Sequence, residues 1–265
     1  MKLLSSAGWL HQHLDWIDPA NMLGEVPFLV ASRRGQTVGC LACPPELPDS
    51  AWIRLFATSK DLPASRLWDP LWDQAARQAS SIGVTHVAVL ISVDWFAALL
   101  EKSGFEHTNE VVFLQWQRES LPNVDIEKGK IRRMRQGDLA EITAIDQHAF
   151  GRIWQYSLKT MRQAFRKAAL ATLLEIEGNI VAYQISTTSY YGAHLARLAV
   201  APEWQGAGFG KALVVDALRK LAIAGNQGMS VNTQLDNERS LHLYRQLGFA
   251  QTGARHPIYE IKLHP

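Results

Sequence analysis

The sequence predicts a mixed α/β protein made of two successive halves built on one plan. Three observations carry that expectation. Short segments recur at a nearly constant spacing, strand-like and helix-like stretches alternate along the chain, and the most glycine-rich stretch joins a strand directly to a helix. With 265 residues there is room for one large domain or for two of about 100–150 residues each.

The recurrence is domain-sized. Arg34-Gly35-Gln36-Thr37-Val38-Gly39 lies 143 positions before Glu177-Gly178-Asn179-Ile180-Val181-Ala182, and each is a glycine turn running into β-branched residues. Ile53-Arg54-Leu55-Phe56-Ala57 keeps the same spacing from Ala196-Arg197-Leu198-Ala199-Val200. Leu100-Glu101-Lys102-Ser103-Gly104-Phe105 precedes Tyr244-Arg245-Gln246-Leu247-Gly248-Phe249 by 144. Simple alternation of strands and helices would explain the period but not the shared Gly-Phe ending.

Taken in order, the second half reads as a strand over 131–135, then helices over 139–150 and 157–169, the latter with Ser157 as N-cap. Strands follow over 171–176, 181–188 and 194–200, then a glycine turn, a helix over 211–224, a strand over 229–233, a helix over 238–247 and a strand over 258–263. The first half keeps the later part of that order. Its strands fall at 28–31, 37–42 and 52–57, with a helix over 68–81, a strand over 86–92, a helix over 95–103 and a strand over 111–116. Residues 1–27 have room for one helix but lack the opening strand and first helix of the second half. The polar stretch 118–130, with Pro122 and Gly129, reads as a linker and sets the expected domains at 1–122 and 123–265.

Composition is that of an ordinary globular protein, 47% hydrophobic and 20% charged. A formal net charge of +2, with Lys and Arg spread along both halves, gives no sign of the concentrated basic surface that nucleic acid requires. No apolar run approaches the roughly 20 residues that cross a bilayer, so no membrane partner is expected. Residues 1–11 lack a signal-peptide cleavage pattern, and a cytoplasmic location is expected. Cys40 and Cys43 have no second pair to complete a zinc site, and Pro44-Pro45 follows them where a redox motif would open a helix. They read as structural thiols, and no metal is expected.

The chemistry concentrates in Leu198-Ala199-Val200-Ala201-Pro202-Glu203-Trp204-Gln205-Gly206-Ala207-Gly208-Phe209-Gly210-Lys211. Glycines allow backbone N–H groups to converge on a ligand, and the first turn of the following helix adds unpaired N–H groups and a partial positive charge. Together they suit a pyrophosphate. A P-loop would need Gly-Lys-Ser/Thr, and the dinucleotide fingerprint needs a different glycine spacing; neither is present. A tight turn without a ligand is the structural alternative.

Gln205-x-x-Gly208-x-Gly210 after a Leu-Ala-Val strand resembles the acetyl-CoA loop of the Gcn5-related N-acetyltransferases. The resemblance extends to the motif of Asn237 to Tyr244 with Gly248-Phe249, and to the opening Arg132-Arg133-Met134-Arg135-Gln136-Gly137-Asp138-Leu139, so it spans nearly all of 130–265. It implies two tandem domains of this family's type, each a mixed, mostly antiparallel sheet flanked by helices. It implies acetyl-CoA as co-substrate, with Leu198, Ala199 and Val200 offering backbone hydrogen bonds to the pantetheine arm. The N–H groups of Gln205, Gly206, Ala207, Gly208, Phe209, Gly210 and Lys211 would hold the pyrophosphate. Asn237 would contact the pantetheine or thioester region, and Tyr244 would be the general acid that protonates the departing thiolate. Outside the motif, Tyr244 would read as a core ring with its hydroxyl toward solvent.

The first half lacks these groups, since Leu62, Ser65, Leu67 and Leu100 stand at the corresponding positions. It reads as a non-catalytic copy. Relatives often carry a base Glu where this chain has Asn232. His194 is the candidate base, against the alternative of an edge-strand His facing water. Glu175 and Glu177 are weaker candidates, and Glu177 reads as a solvated turn residue. Trp154 and Tyr156 either line an acceptor pocket or are core aromatics, while Asp146 and Asp236 read as solvated helix-surface carboxylates. Trp68, Trp72 and Trp95 read as core. The expected function is transfer of an acetyl group to a primary amine, on a small molecule or a peptide or protein N-terminus, by direct attack. A longer acyl-CoA and a non-catalytic CoA-binding sensor are the alternatives.

Overall fold

The computed structural model describes residues 2–14, 17–116, 129–190, 192–226 and 228–263, so the stretch read as a linker falls almost wholly outside the described residues. The chain divides into two compact units, one of Met1–Asn109 with His256–Pro265 and one of Glu110–Arg255. The division expected at 122/123 left residues 110–122 in the first half and 256–265 in the second. The compact units assign the described parts of both stretches, 110–116 and 256–263, the other way.

The first unit opens with a short helix, α1 (Lys2–Ser5), and a strand, β1 (Ala7–Gln12). After a 3-10 turn at Pro19–Met22 come β2 (Phe28–Arg33), β3 (Gln36–Ala42), β4 (Pro45–Leu47), β5 (Ser50–Trp52) and β6 (Leu55–Ser59). Helix α2 (Ala64–Ser81), β7 (His86–Leu90) and α3 (Ala97–Lys102) follow, then β8 (Glu106–Trp116), which ends in the second unit. β1, β6, β3 and β2 form an antiparallel sheet in that order. β5 pairs antiparallel with β4 and parallel with β7.

Two expectations change here. The strand expected over 52–57 is two strands, because successive N–H groups serve different partners: Ile53 donates to Ala88 O and Arg54 to Ala42 O, both at 2.9 Å. The N-terminal stretch does supply a strand. Its pattern is hidden by Gly8, which is required because a Cβ there would stand 2.7 Å from Lys60 Cα.

The first core forms where α2 places Trp68, Leu71, Trp72, Ala75 and Ala79 on one face at helical spacing. Trp68 is fully buried, stacks on Trp72 at 5.7 Å, and donates its indole N–H to Ser103 Oγ at 2.7 Å. Cys40 and Cys43 are buried free thiols whose burial pushes them up to about 11 and about 12, in keeping with a structural role.

The second unit runs β9 (Lys130–Arg133), α4 (Leu139–Ala149), α5 (Leu158–Lys167), β10 (Leu170–Ile176), β11 (Asn179–Ser189), β12 (Gly192–Val200), α6 (Phe209–Ile223), β13 (Met229–Gln234), α7 (Glu238–Leu247) and β14 (Phe249–Lys262). Ser157 caps α5 as expected, accepting from Thr160 N at 3.1 Å. The strand expected over 258–263 is only the end of β14. That strand begins directly after Gly248, whose left-handed φ of 93° terminates α7, and finishes in the first unit. Within the second unit the strand order is β8-β13-β12-β11-β10-β9, antiparallel except for β12 beside β13.

The repeat seen in the sequence is a repeat of register. β5 and β7 pair from Ser50↔His86 to Trp52↔Ala88, and β12 and β13 pair from Ala193↔Met229 to Leu195↔Val231, each residue displaced by 143. Both hairpins turn through two successive left-handed residues, Arg34-Gly35 and Glu177-Gly178, with φ of 52° and 50° at the non-glycine positions. Two positive φ values in a two-residue turn are the type I′ geometry that matches strand twist.

Candidate functional site

β12 carries the site. One edge pairs with β11 along the whole strand, but the parallel ladder to β13 ends at Leu195↔Val231. Both strands continue, β12 to Val200 and β13 to Gln234, without further rungs. Among the described residues, 196–200 therefore have no strand partner on that edge, and apart from Val200 O, which accepts from Gln205, their backbone can meet a ligand bearing amides. An extra residue, Ala196, sits opposite the Ile185–Ser186 step as a β-bulge. The bulge shifts side-chain parity, so Leu195, Leu198 and Val200 all pack with α6 residues while Arg197 reaches Asp146 on α4.

The open edge leads into the glycine loop. Gly206 and Gly208 both have φ of 84°, and a Cβ at either would meet nothing within 4 Å, so the space beside each is clear. Gly208 is the N-cap of α6, whose first helical bond is Ala212 N to Gly208 O. The N–H groups of Phe209, Gly210 and Lys211 thus lack intrahelical partners. Gly210 differs: a Cβ there would make ordinary contacts, 3.5 Å from Leu243 and 3.6 Å from Val200, because α6 here packs on the strand end and α7. Gln205 pins the loop, donating to Val200 O at 3.2 Å and accepting from Arg239 at 2.8 Å. Ala207 is exposed, Lys211 is half-buried, and Phe209 is buried near the Trp204 ring. An unpaired strand edge, clear glycines and unpaired N–H groups at the head of a 15-residue helix fit a pantetheine arm joined to a pyrophosphate.

Tyr244 lies buried on α7 beside Phe249, and among the described residues its hydroxyl has no hydrogen-bond partner. Burial pushes its pKa well up, so the phenol keeps its proton at neutral pH. Asn237 is the N-cap of α7: its side-chain carbonyl accepts from Ser240 N at 3.1 Å and its amide lies 3.4 Å from Gln234. That side chain shapes the helix start.

His194 is not an edge residue facing water. β12 is paired on both sides there, with Thr187 and Ser230, and the residue is half-buried. Its Nδ1 lies 2.9 Å from Ser230 Oγ, and burial pushes its pKa down, partly opposed by a hydrogen bond with Asn232. The structure thus joins His194 to Asn232 on β13. Glu175 is taken by Arg132 at 2.6 Å, and Glu177 and Asp236 are exposed.

Asp146 corrects the sequence reading most sharply. It is 0% exposed, because β12 and β11 supply its partners from the face opposite α6. Its carboxylate accepts from Arg197 Nε at 2.7 Å and Nη2 at 2.8 Å, from Tyr183 OH at 2.5 Å and from Tyr156 N at 2.8 Å. Arg197 also donates to Trp154 O at 2.5 Å and lies over the Phe150 and Tyr156 rings at 3.6 and 3.9 Å. Tyr156 and the Trp154 backbone therefore belong to a buried cluster that ties residues 150–156 to β12.

The second unit thus combines a sheet splayed at a bulged central strand with a glycine loop that feeds a helix. Residues 139–249, all within the second unit, match the acetyltransferase (GNAT) family. A mycothiol acetyltransferase from Nocardiopsis dassonvillei is 36% identical over 83 residues, which span 28% of this chain and only 25% of that relative. A tandem GNAT protein from the clavulanic acid biosynthesis pathway shares the fold with a TM-score of 0.63 at 15% identity, over 89% of this chain and 82% of that one. A GCN5-related N-acetyltransferase from Sphaerobacter thermophilus does so with a TM-score of 0.63 at 15% identity, over 87% and 78%.

Proposed function

We propose that the second unit is an acetyl-CoA-dependent N-acetyltransferase with a primary amine as acceptor, on a small molecule or a peptide N-terminus. The observation that carries this reading is the open edge of 196–200 leading into the left-handed glycines at the head of α6. That edge would hold the pantetheine amides, and the N–H groups of residues 206–211 the pyrophosphate. Bound acetyl-CoA supplies the activated acyl group. His194, neutral because its pKa is lowered, accepts the proton of the attacking amine, directly or through water. Tyr244, kept protonated by burial, is the donor to the leaving thiolate. The first unit has Leu62, Ser65, Leu67 and Leu100 at the matching positions. Of these, Leu100 is core and Leu67 lies where a Cβ on Gly39 would approach within 2.5 Å, which supports one catalytic unit per chain.

Asn232, in place of a carboxylate, favours a second reading, a CoA-binding sensor that does not turn over. Thiol release from acetyl-CoA, measured across a panel of small amines and peptides, separates the two. The enzyme reading expects amine-dependent release that drops about 100-fold in Tyr244→Phe with acetyl-CoA affinity unchanged. Slow release without amine dependence, equal in Tyr244→Phe, supports the sensor.

A further inference from the structure

The first unit repeats the splayed strands of the second with one addition. Its parallel ladder stops at Trp52↔Ala88, the rung equivalent to Leu195↔Val231, and the chain continues as β6. β3 holds one edge of β6, as β11 holds one edge of β12. The other edge, open in β12, is filled in β6. β1 pairs with it antiparallel through Ala7↔Ser59, Trp9↔Thr58, Leu10↔Ala57, His11↔Phe56 and Gln12↔Leu55. Leu55 and Ala57 stand 143 positions before Leu198 and Val200.

We infer that β1 occupies in the first unit the strand edge that a pantetheine arm takes in the second, so that the chain closes its own vestigial acyl-CoA slot with its N-terminal strand. This rests on reading 196–200 as the cofactor edge. The strand is built into its place. At Gly8 it approaches Lys60 more closely than any side chain would allow. His11 is fully buried, with Nε2 3.2 Å from Ile53 O and its ring 4.8 Å from Phe96. Trp9 meets the Trp95 ring edge-on at 5.2 Å. Ala7 and Leu10 pack on Met22, Cys40, Ala42, Leu55 and Ala57. Ladder hydrogen bonds and apolar anchors together are what a peptide uses to add itself to a sheet edge. Loss of the glycines alone would remove the pyrophosphate cradle and leave the edge of β6 open as a template for other chains. β1 removes that edge as well.

Segment-resolved hydrogen–deuterium exchange tests this. In the full chain, saturating acetyl-CoA slows exchange at 196–200 and 206–211 and leaves 55–59, already protected, unchanged. In a chain lacking residues 1–13, exchange at 55–59 rises at least about tenfold, and a synthetic peptide of residues 1–13 restores protection there. The full-length Gly8→Val variant, which forces β1 off Lys60, gives the same local rise if the truncated chain does not fold. Protection of both 55–59 and 196–200 by acetyl-CoA overturns the inference and leaves the proposed function standing. A folded truncated chain that ignores the peptide also overturns it. No protection at either segment removes the cofactor reading and this inference with it.

Discussion

Asp146→Asn is the substitution on which the sequence and the structure disagree most. A solvated helix carboxylate would lose almost nothing on becoming an amide, whereas the buried Asp146 carries four hydrogen bonds and the charge opposite Arg197. The amide has nearly the same shape, and its oxygen keeps the bonds to Tyr156 N and Arg197 Nη2. Its NH2 group, however, faces the Arg197 Nε–H, donor against donor, and the guanidinium, 8% exposed, is left without a counter-charge. Breaking one side of a buried pair costs about 3–5 kcal/mol. For a unit of this size each kcal/mol moves the midpoint by about 2–4 °C, so the second unit should melt about 10 °C lower. Urea unfolding followed by a second-unit probe measures the loss directly. Tyr183→Phe, which removes one bond to the same carboxylate, should cost about 1.5–3 kcal/mol. A loss below about 1 kcal/mol for Asp146→Asn would return the residue to the solvated class and refute the buried-cluster account.

Gly208→Val should abolish acetyl-CoA binding, because a β-branched residue at φ 84° both strains the N-cap and fills the clear space, while Gly210→Ala should bind almost normally; calorimetry on both variants checks the contrast. If His194 is the base, the acid limb of kcat/KM lies below pH 6.5, since its pKa is lowered, and disappears in His194→Gln. Tyr244 adds no alkaline limb below pH 10, its pKa being raised. His11, lowered to about 4 from 6.5, binds no proton in the folded state over that window while the unfolded chain does. Stability of the first unit therefore falls as pH drops from 6.5 to 4, by up to about 3 kcal/mol, and this term vanishes in His11→Gln, as denaturant titrations at several pH values will show.

The second unit was legible because its signals are local. Ser157 caps, Gly248 stops and the 143-residue repeat are written in adjacent residues, and each helix stands within two residues of its expected start or end. β1 was missed because Gly8 interrupts its pattern and its partner lies far away in sequence. The split of 52–57 depends on which strand each N–H finds, which no local pattern records. Asp146 was misread because its partners come from β11, β12 and the 150–156 loop; on its own helix no Lys or Arg stands at helical spacing from it. Which of the two readings of His194 holds depends on β13, whose paired residue Ser230 lies 36 positions later in the chain. The place of the Gly loop between β12 and α6, and of the Asn237 to Tyr244 motif on α7, was readable because it depends on residue type and spacing.

Calorimetric titration of acetyl-CoA into the full chain, fitted for sites per chain, tests the central claim most directly. One site per chain, lost in Gly208→Val and retained in Tyr244→Phe, is the predicted result. Two sites would contradict the closed first unit, and the absence of binding would contradict the reading of the open edge and glycine loop as an acyl-CoA site.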